Sequence, residues 1–178
     1  MLSTADLPLA ELCSARLDGE LYALGDGWCP VDQPGSPPAR AEVAAMLVPA
    51  GVIAERLTAA WIFGACPEPH QHQFCVDTAA RQHVPISTRF RLREARNIAA
   101  DTQLIGGIRV TTPRRTVVDL ARTRGAAAEF VPVLAELFEL FPELSTAVLA
   151  AHPLLADGRQ FRGLAWHRIG QARGVPRL

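Results

Sequence analysis

The spacing of apolar positions changes character along the chain. In residues 6–16, Leu9, Leu12 and Cys13 fall on one helical face, and Leu17-Asp18-Gly19 ends the run. Glu20 to Leu24 and Trp28 to Val31 flank Gly25-Asp26-Gly27, a tight-turn signal that predicts a small antiparallel hairpin. Gln33-Pro-Gly-Ser-Pro-Pro38 is the best linker candidate; Ala39 to Val48 then has helical propensity, and Thr58 to Gly64 predicts a short buried helix ended by its glycine. Between 71 and 111 the period shortens: Gln73 to Asp77, Arg89 to Arg93 and Leu104 to Thr111 read as strands separated by polar or Gly-Gly breaks. Thr112-Pro113 supplies an N-cap with Pro at the first helical position, and Val117, Val118 and Ala121 carry the apolar face of a helix running to Arg124. Phe130, Val133, Leu134, Leu137, Phe138 and Phe141 then follow helical spacing without a miss, the clearest amphipathic pattern in the chain. Asp157-Gly-Arg-Gln160 reads as a variant capping box for a last helix, with Phe161, Leu164 and Ala165 on one face and Arg159, Arg162 and Trp166 towards the other. The pattern predicts an α+β protein: a helix and hairpin over 1–34, then over 35–178 a small mixed sheet packed with helices and a helical C-terminal end.

Composition narrows the class without naming a function. With 178 residues, 49% hydrophobic and 20% charged, the chain suits one globular domain, or one domain with a small appendage, and excludes a wholly disordered or collagen-like reading. All 18 basic residues are Arg, balanced by 18 acids, so the net field gives no reason to expect a polyanionic partner. The charges are segregated, however. Residues 78–128 hold ten Arg against three acids, 129–157 hold five acids and no Arg, and 158–178 hold five Arg and no acid. Such blocks either neutralise one another within the fold, the favoured reading, or form separate interaction surfaces. The N-terminus has no basic region ahead of an apolar one, and the longest apolar stretch, Val43 to Ala54, is broken by Pro49 and Gly51. A cytoplasmic location with four reduced cysteines, and no membrane partner, is expected.

Candidate chemistry is sparse. Cys66-Pro-Glu-Pro-His70-Gln-His72-Gln-Phe-Cys75 gathers soft ligands, but its spacing matches no zinc-finger pattern, so it reads as a loop entering a strand with Cys75 in the core; no metal or cofactor is expected. His152, before Pro153 at a helix end, suits a cap better than a base. Ser87-Thr-Arg89-Phe-Arg91-Leu-Arg93 alternates strictly, placing Arg89, Arg91 and Arg93 on one strand face and Phe90 and Leu92 on the core side. The stripe is either a binding surface for phosphates or an acidic partner, or a solvated face paired internally. Arg115 and Asp119, with Arg114 alongside, lie one helical turn apart in the weaker orientation against the helix dipole, which points to a tertiary role. Arg159, Arg162 and Trp166 offer a face that stacks on a base or a partner, or covers a core edge. No GxGxxG, Walker, GxSxG or HExxH motif is present, so no catalysis is expected.

Several segments resemble one family. Leu17-Asp-Gly-Glu-Leu21, Thr58-Ala-Ala-Trp-Ile-Phe-Gly64, Arg91-Leu-Arg-Glu94 and above all Gly106-Gly-Ile-Arg-Val-Thr-Thr-Pro-Arg-Arg-Thr-Val-Val-Asp-Leu-Ala-Arg122 are similar to the actinobacterial AbiEi-type antitoxins of type IV toxin-antitoxin systems. The resemblance implies a winged-helix N-terminus ahead of an antitoxin region, a nucleotidyltransferase-like toxin of the AbiEii type as functional partner, and repression of its own operon. The residues before the hairpin leave room for one helix, so 1–34 is expected to be a truncated winged-helix-like segment. That segment carries Arg16 beside Asp6 and Glu11, a poor basis for phosphate neutralisation. The antitoxin role therefore carries over more readily than the alternative, a transcriptional autoregulator bound to its own promoter DNA. Arg89, Arg91, Arg93, Arg114, Arg115, Asp119, Arg159, Arg162 and Trp166 are the expected toxin- or nucleic-acid-binding residues.

Overall fold

A computed structural model describes residues 2–32, 35–80, 87–96, 98–156 and 159–174. Helix α1 (Leu9–Leu17) starts after Pro8 and buries Leu12, while Leu9 and Cys13 of the expected apolar face stay exposed. It leads into the hairpin of β1 (Leu21–Leu24) and β2 (Gly27–Pro30), joined by Gly25-Asp26. Gly25 has φ +55°, and a Cβ there would stand 2.3 Å from Val43 Cγ1, so both the turn and the packing against the next helix require glycine. Of the proposed linker, Gln33 and Pro34 lie outside the described residues. Its remainder opens helix α2 (Pro37–Met46): Ser36 Oγ accepts from the Ala39 N–H, and the two prolines occupy positions where no N–H is missed.

The central sheet has five strands in the order β5-β4-β3-β7-β6, made of β3 (Ile53–Ala54), β4 (His72–Asp77), β5 (Phe90–Ala95), β6 (Thr102–Ile105) and β7 (Ile108–Thr111). Pairing is mixed: β3 with β7 and β4 with β5 run parallel, β3 with β4 and β6 with β7 antiparallel. The expected strand from Leu104 to Thr111 is in fact a hairpin, because Gly106 and Gly107 both take positive φ and reverse the chain. Strand β3 has two residues, too short for any period to reveal, yet it is the middle of the sheet. Register aligns Ala54, Phe74, Leu92 and Val110 in one row and Ile53, Cys75, Arg93 and Arg109 in the next. The first row joins the main core; Ile53 and Cys75 form a smaller cluster with Ala95 and Ile98.

Helices α2, α3 (Arg56–Phe63) and α4 (Pro113–Arg122) pack on the sheet, and α5 (Ala127–Leu140), α6 (Thr146–Ala150) and α7 (Arg162–Arg173) complete the helical end. Gly64 ends α3 in the left-handed conformation, as expected. The long amphipathic stripe buries Phe130, Val133, Leu134 and Leu137, each contributing about 2 kcal/mol by area. Helix α7 begins later than expected. Phe161 takes φ +62° and turns the chain at the N-cap, so Arg159 precedes the helix and does not share a helical face with Arg162 and Trp166. Asp157 and Gly158 of the expected capping box lie outside the described residues. Seven α-helices with a mixed sheet and a separate hairpin make the α+β class plain among the described residues. No described helix is long and apolar enough to cross a membrane.

Arg168 fastens the helical end to the rest of the fold. It lies on the same stripe of α7 as Ala165, Ile169 and Ala172 and is 1% exposed. Its Nη1 donates to the Leu120, Ala121 and Thr123 carbonyls and its Nη2 to the Gly125 carbonyl at 2.5 Å, satisfying acceptors that the end of α4 leaves open. The guanidinium also lies 4.8 Å from the centre of the Phe130 ring. Burial pushes its pKa down, with Glu129 opposing, and the carbonyl dipoles supply what water would have. Replacing Arg168 with Met keeps the apolar stem and strands these carbonyls, so equilibrium urea denaturation is expected to show a loss of about 3 kcal/mol. A loss under about 1 kcal/mol would show that the carbonyls find water instead.

Candidate functional site

Four of the nine expected site residues, Arg93, Arg114, Arg115 and Asp119, lie on or against the first turns of α4. Thr112 Oγ1 accepts from the Arg115 N–H, and buried Thr111 and Thr116 share a 2.7 Å hydroxyl hydrogen bond that pins the helix start to the end of β7. This places Arg115 and Asp119, each 5% exposed, on the inner side of the helix. Arg115 Nε donates to Asp119 Oδ2 at 2.9 Å, and its Nη1 donates to Asp101 Oδ2 at 2.9 Å. From β5, Arg93 Nη2 reaches the same Asp119 oxygen at 3.3 Å. Arg93 Nε donates to Glu55 Oε1 at 2.6 Å, with its Nη2 on Oε2, a bidentate fork onto a carboxylate that is 1% exposed. The ends of the chain are looser: Arg56 Nε lies 3.6 Å from Glu55, and His152 Nε2 lies 3.4 Å from Asp101.

Cations and carboxylates therefore alternate from Arg56 through Glu55, Arg93, Asp119 and Arg115 to Asp101, with the neutral His152 ring beside the last carboxylate. They come from α3, the loop after β3, β5, α4, the turn before β6 and the helical end. Burial works against the charge of Arg115, yet Asp119 and Asp101 outweigh it and hold its pKa above the usual guanidinium value. Arg93 follows the same pattern, burial being outweighed by Glu55 and Asp119. Deleting Asp119 would leave two partly desolvated guanidiniums competing for the remaining acids, a change on the order of 3–5 kcal/mol.

The other expected residues are dispersed. Arg89 pairs with Asp26 of the hairpin turn at 2.5 Å, both about half exposed, and exposed Arg91 donates to Gln71 Oε1 at 2.5 Å. Phe90 and Leu92 face the core as the alternation requires. Arg89, just before β5, and Arg91 and Arg93 within it thus each meet a different partner within the chain. Arg114 is half-buried, with its Nε lacking a hydrogen-bond partner. Arg159 is exposed; Arg162 donates to the Leu155 carbonyl at 3.0 Å; Trp166 is half-buried against the core. His72 lies in a polar niche, with Nδ1 3.3 Å from Thr58 Oγ1 and Nε2 3.2 Å from Glu68. Cys75 is in the core, where burial pushes its thiol pKa up. Burial likewise raises Cys66, to about 11.

Sequence reasoning missed Glu55, Asp101 and Arg168. A signal for Glu55 exists: it is the acid that, with Arg56, interrupts an apolar run from Val52 to Phe63. Asp101 has no such mark, since only the tertiary fold brings the turn before β6 under α4.

His152 caps the following turn as expected, its Nδ1 accepting from the Leu154 N–H at 3.2 Å, and is 2% exposed. Burial lowers its pKa, with Asp101 opposing and Arg114 and Arg115 reinforcing; His72 is lowered chiefly by burial too, with Glu68 opposing. Both rings stay neutral in the folded chain where the unfolded chain begins to protonate, near the ordinary histidine value of 6.5. The unfolded state then binds more protons, so stability is fully present above that pH and is lost as pH falls through it towards the depressed folded values. The urea midpoint is expected to fall between about pH 7 and pH 5.5, and His152→Gln to flatten part of that slope. A midpoint that rises on acidification would contradict the burial of these rings as neutral groups.

Comparison with known proteins bears on the same region. The model of the AbiEi antitoxin C-terminal domain matches residues 44–170, which include every member of the ion-pair chain. Among solved structures, the crystal structure of the RV2827C protein from Mycobacterium tuberculosis aligns with a TM-score of 0.48 and 17% identity, covering 93% of this chain. The chain spans 66% of the length of that structure. No curated protein matches the chain. The family match covers most of the sequence, and the chain belongs to the AbiEi antitoxin family.

Proposed function

We propose that this antitoxin-family chain counteracts a nucleotidyltransferase-like toxin in the cytoplasm, without catalysis of its own. The observation that carries the reading is the family match over residues 44–170. The buried ion pairs support a division of the expected binding residues into two groups. Arg93, Arg115 and Asp119 hold the fold. Arg89, just before β5, and Arg91 within it lie on an edge strand, where their exposed side chains would have to exchange Asp26 and Gln71 for a partner, and Arg114, Arg159, Arg162 and Trp166 border the helical end. Basic side chains on an edge strand also deter unwanted strand pairing, so the partner role of Arg89 and Arg91 needs a functional test. The promoter-DNA reading has less support: α1 sets Arg16 against Glu11 and gives phosphates no net cation.

The test is rescue of growth when this chain is co-expressed with an induced nucleotidyltransferase-like toxin gene, the nearest to its own where one is present. Arg89→Gln combined with Arg91→Gln is expected to abolish rescue while changing stability by only about 0.5 kcal/mol per site. Full rescue by that variant would remove the edge strand from the partner surface. Failure of the unaltered chain to rescue growth would remove the pairing itself.

A further inference from the structure

A cleft of about 280 Å³ opens beside the ion-pair chain, lined by Arg56, Arg93, Arg122, Arg124, Phe161 and Gln160, with Asp119 and Thr123 completing the wall. Four guanidiniums against one carboxylate is an unusual lining for a chain with no net charge. The cations are not equally satisfied. Arg93 is neutralised by Glu55 and Asp119, whereas Arg56 holds Glu55 only at 3.6 Å and its Nε has no hydrogen-bond partner. Arg122 spends Nη2 on the Gln160 carbonyl at 3.1 Å, and its buried Nε is also without a partner. Arg124 lies over the Phe161 ring at 5.0 Å. Among the described residues, no carboxylate stands within ion-pair distance of Arg122 or Arg124.

Backbone geometry singles out the same place. Among the described residues, two that are not glycine take positive φ, Arg56 at +49° and Phe161 at +62°, and both line this cleft. Each is a conformation that L side chains rarely adopt and that persists where surrounding structure holds it. Arg56 is the first residue of α3 and Phe161 the N-cap of α7, so two helix starts border the cleft. Burial, the largest cause, together with Arg115, Arg159 and Arg93 works against the charge of Arg122, while Asp119 favours it. An incoming anion would relieve that repulsion.

From this geometry we infer that the cleft is a binding site for the phosphoryl group of a small phosphorylated molecule, a di- or triphosphate moiety held by Arg56, Arg122 and Arg124. Guanidinium forks match phosphate oxygens in pairs, which ammonium groups cannot do. A concave cleft of this size admits a compact anion, whereas a duplex backbone calls for a broad basic surface. Phe161, already under the Arg124 guanidinium, offers an apolar face to whatever the phosphate is attached to. The inference is independent of the antitoxin reading, since it concerns a small ligand and no toxin contact.

The full chain would be titrated by calorimetry with inorganic phosphate, pyrophosphate, a nucleoside triphosphate and a short single-stranded oligonucleotide lacking terminal phosphates. Saturable one-to-one binding of pyrophosphate or the triphosphate is expected, the two arms distinguishing a bare phosphoryl site from one that also holds the nucleoside. Arg122→Gln and Arg124→Gln should each weaken that binding at least tenfold. Arg124 is exposed, so its variant keeps the fold if Arg122→Gln does not. Arg109→Gln, an exposed arginine outside the cleft, should leave binding unchanged. No saturable binding by pyrophosphate or the triphosphate, an equal loss in Arg109→Gln, or arginine-dependent binding of the oligonucleotide alone would overturn the proposal.

Discussion

Asp119 is the carboxylate on which the rest of the structure turns. One of its oxygens accepts from Arg115 within the same helix and from Arg93 across the sheet, so α4 cannot shift relative to β5 without stranding a charge. Through Arg115 the same carboxylate is linked to Asp101 and the start of β6, and through Arg93 to Glu55 and the start of α3. An apolar core of similar area would hold these elements together with comparable energy, but it would tolerate sliding. Alternating charges do not, because each displaced member leaves a partly buried neighbour unpaired. The same order of residues explains the reversed Arg-to-Asp orientation on α4, which gains little from the helix itself and much from what it meets across the fold.

The arginine-only composition acquires a structural meaning in the helical end. Arg122, Arg162, Arg168 and Arg173 all donate to backbone carbonyls, of Gln160, Leu155, four residues around the end of α4, and Leu144 respectively. Arg168 reaches those four acceptors with a single planar group, a span that a lysine ammonium cannot cover. Arg173 adds a 4.2 Å approach to the Phe138 ring. The basic block near the C-terminus is thus largely spent on orphan carbonyls and aromatic faces. Segregated charge along the sequence became internal architecture, and only part of it remains available to a partner.

Much of this fold was legible because its local signals agree with its tertiary structure. The Thr112-Pro113 start, the Gly64 stop and the stripe from Phe130 to Leu137 each state a boundary or a buried face in a few residues. The two-residue β3 and the division of Leu104 to Thr111 into a hairpin were not legible, since neither offers enough residues for a period. Alternation in β5 correctly oriented Phe90 and Leu92, yet it could not show that Arg93 would be enclosed while Arg91 stayed in solvent. That difference arises from Glu55, thirty-eight residues away. The start of α7 was misplaced because Phe161 adopts a backbone conformation that its side chain does not advertise. The motif that carries the family resemblance forms the scaffold around Asp119.

The direct test of that account is a double-mutant cycle between Arg115 and Asp119, with both single variants and the pair replaced by apolar residues of similar size and followed by equilibrium denaturation. If the pair is the anchor described here, the single changes should each be strongly destabilising and the double change well short of their sum, with a coupling above about 1 kcal/mol. Additivity within about 0.5 kcal/mol would mean that the two residues act independently, and the ion-pair chain could not be what holds α4 to the sheet.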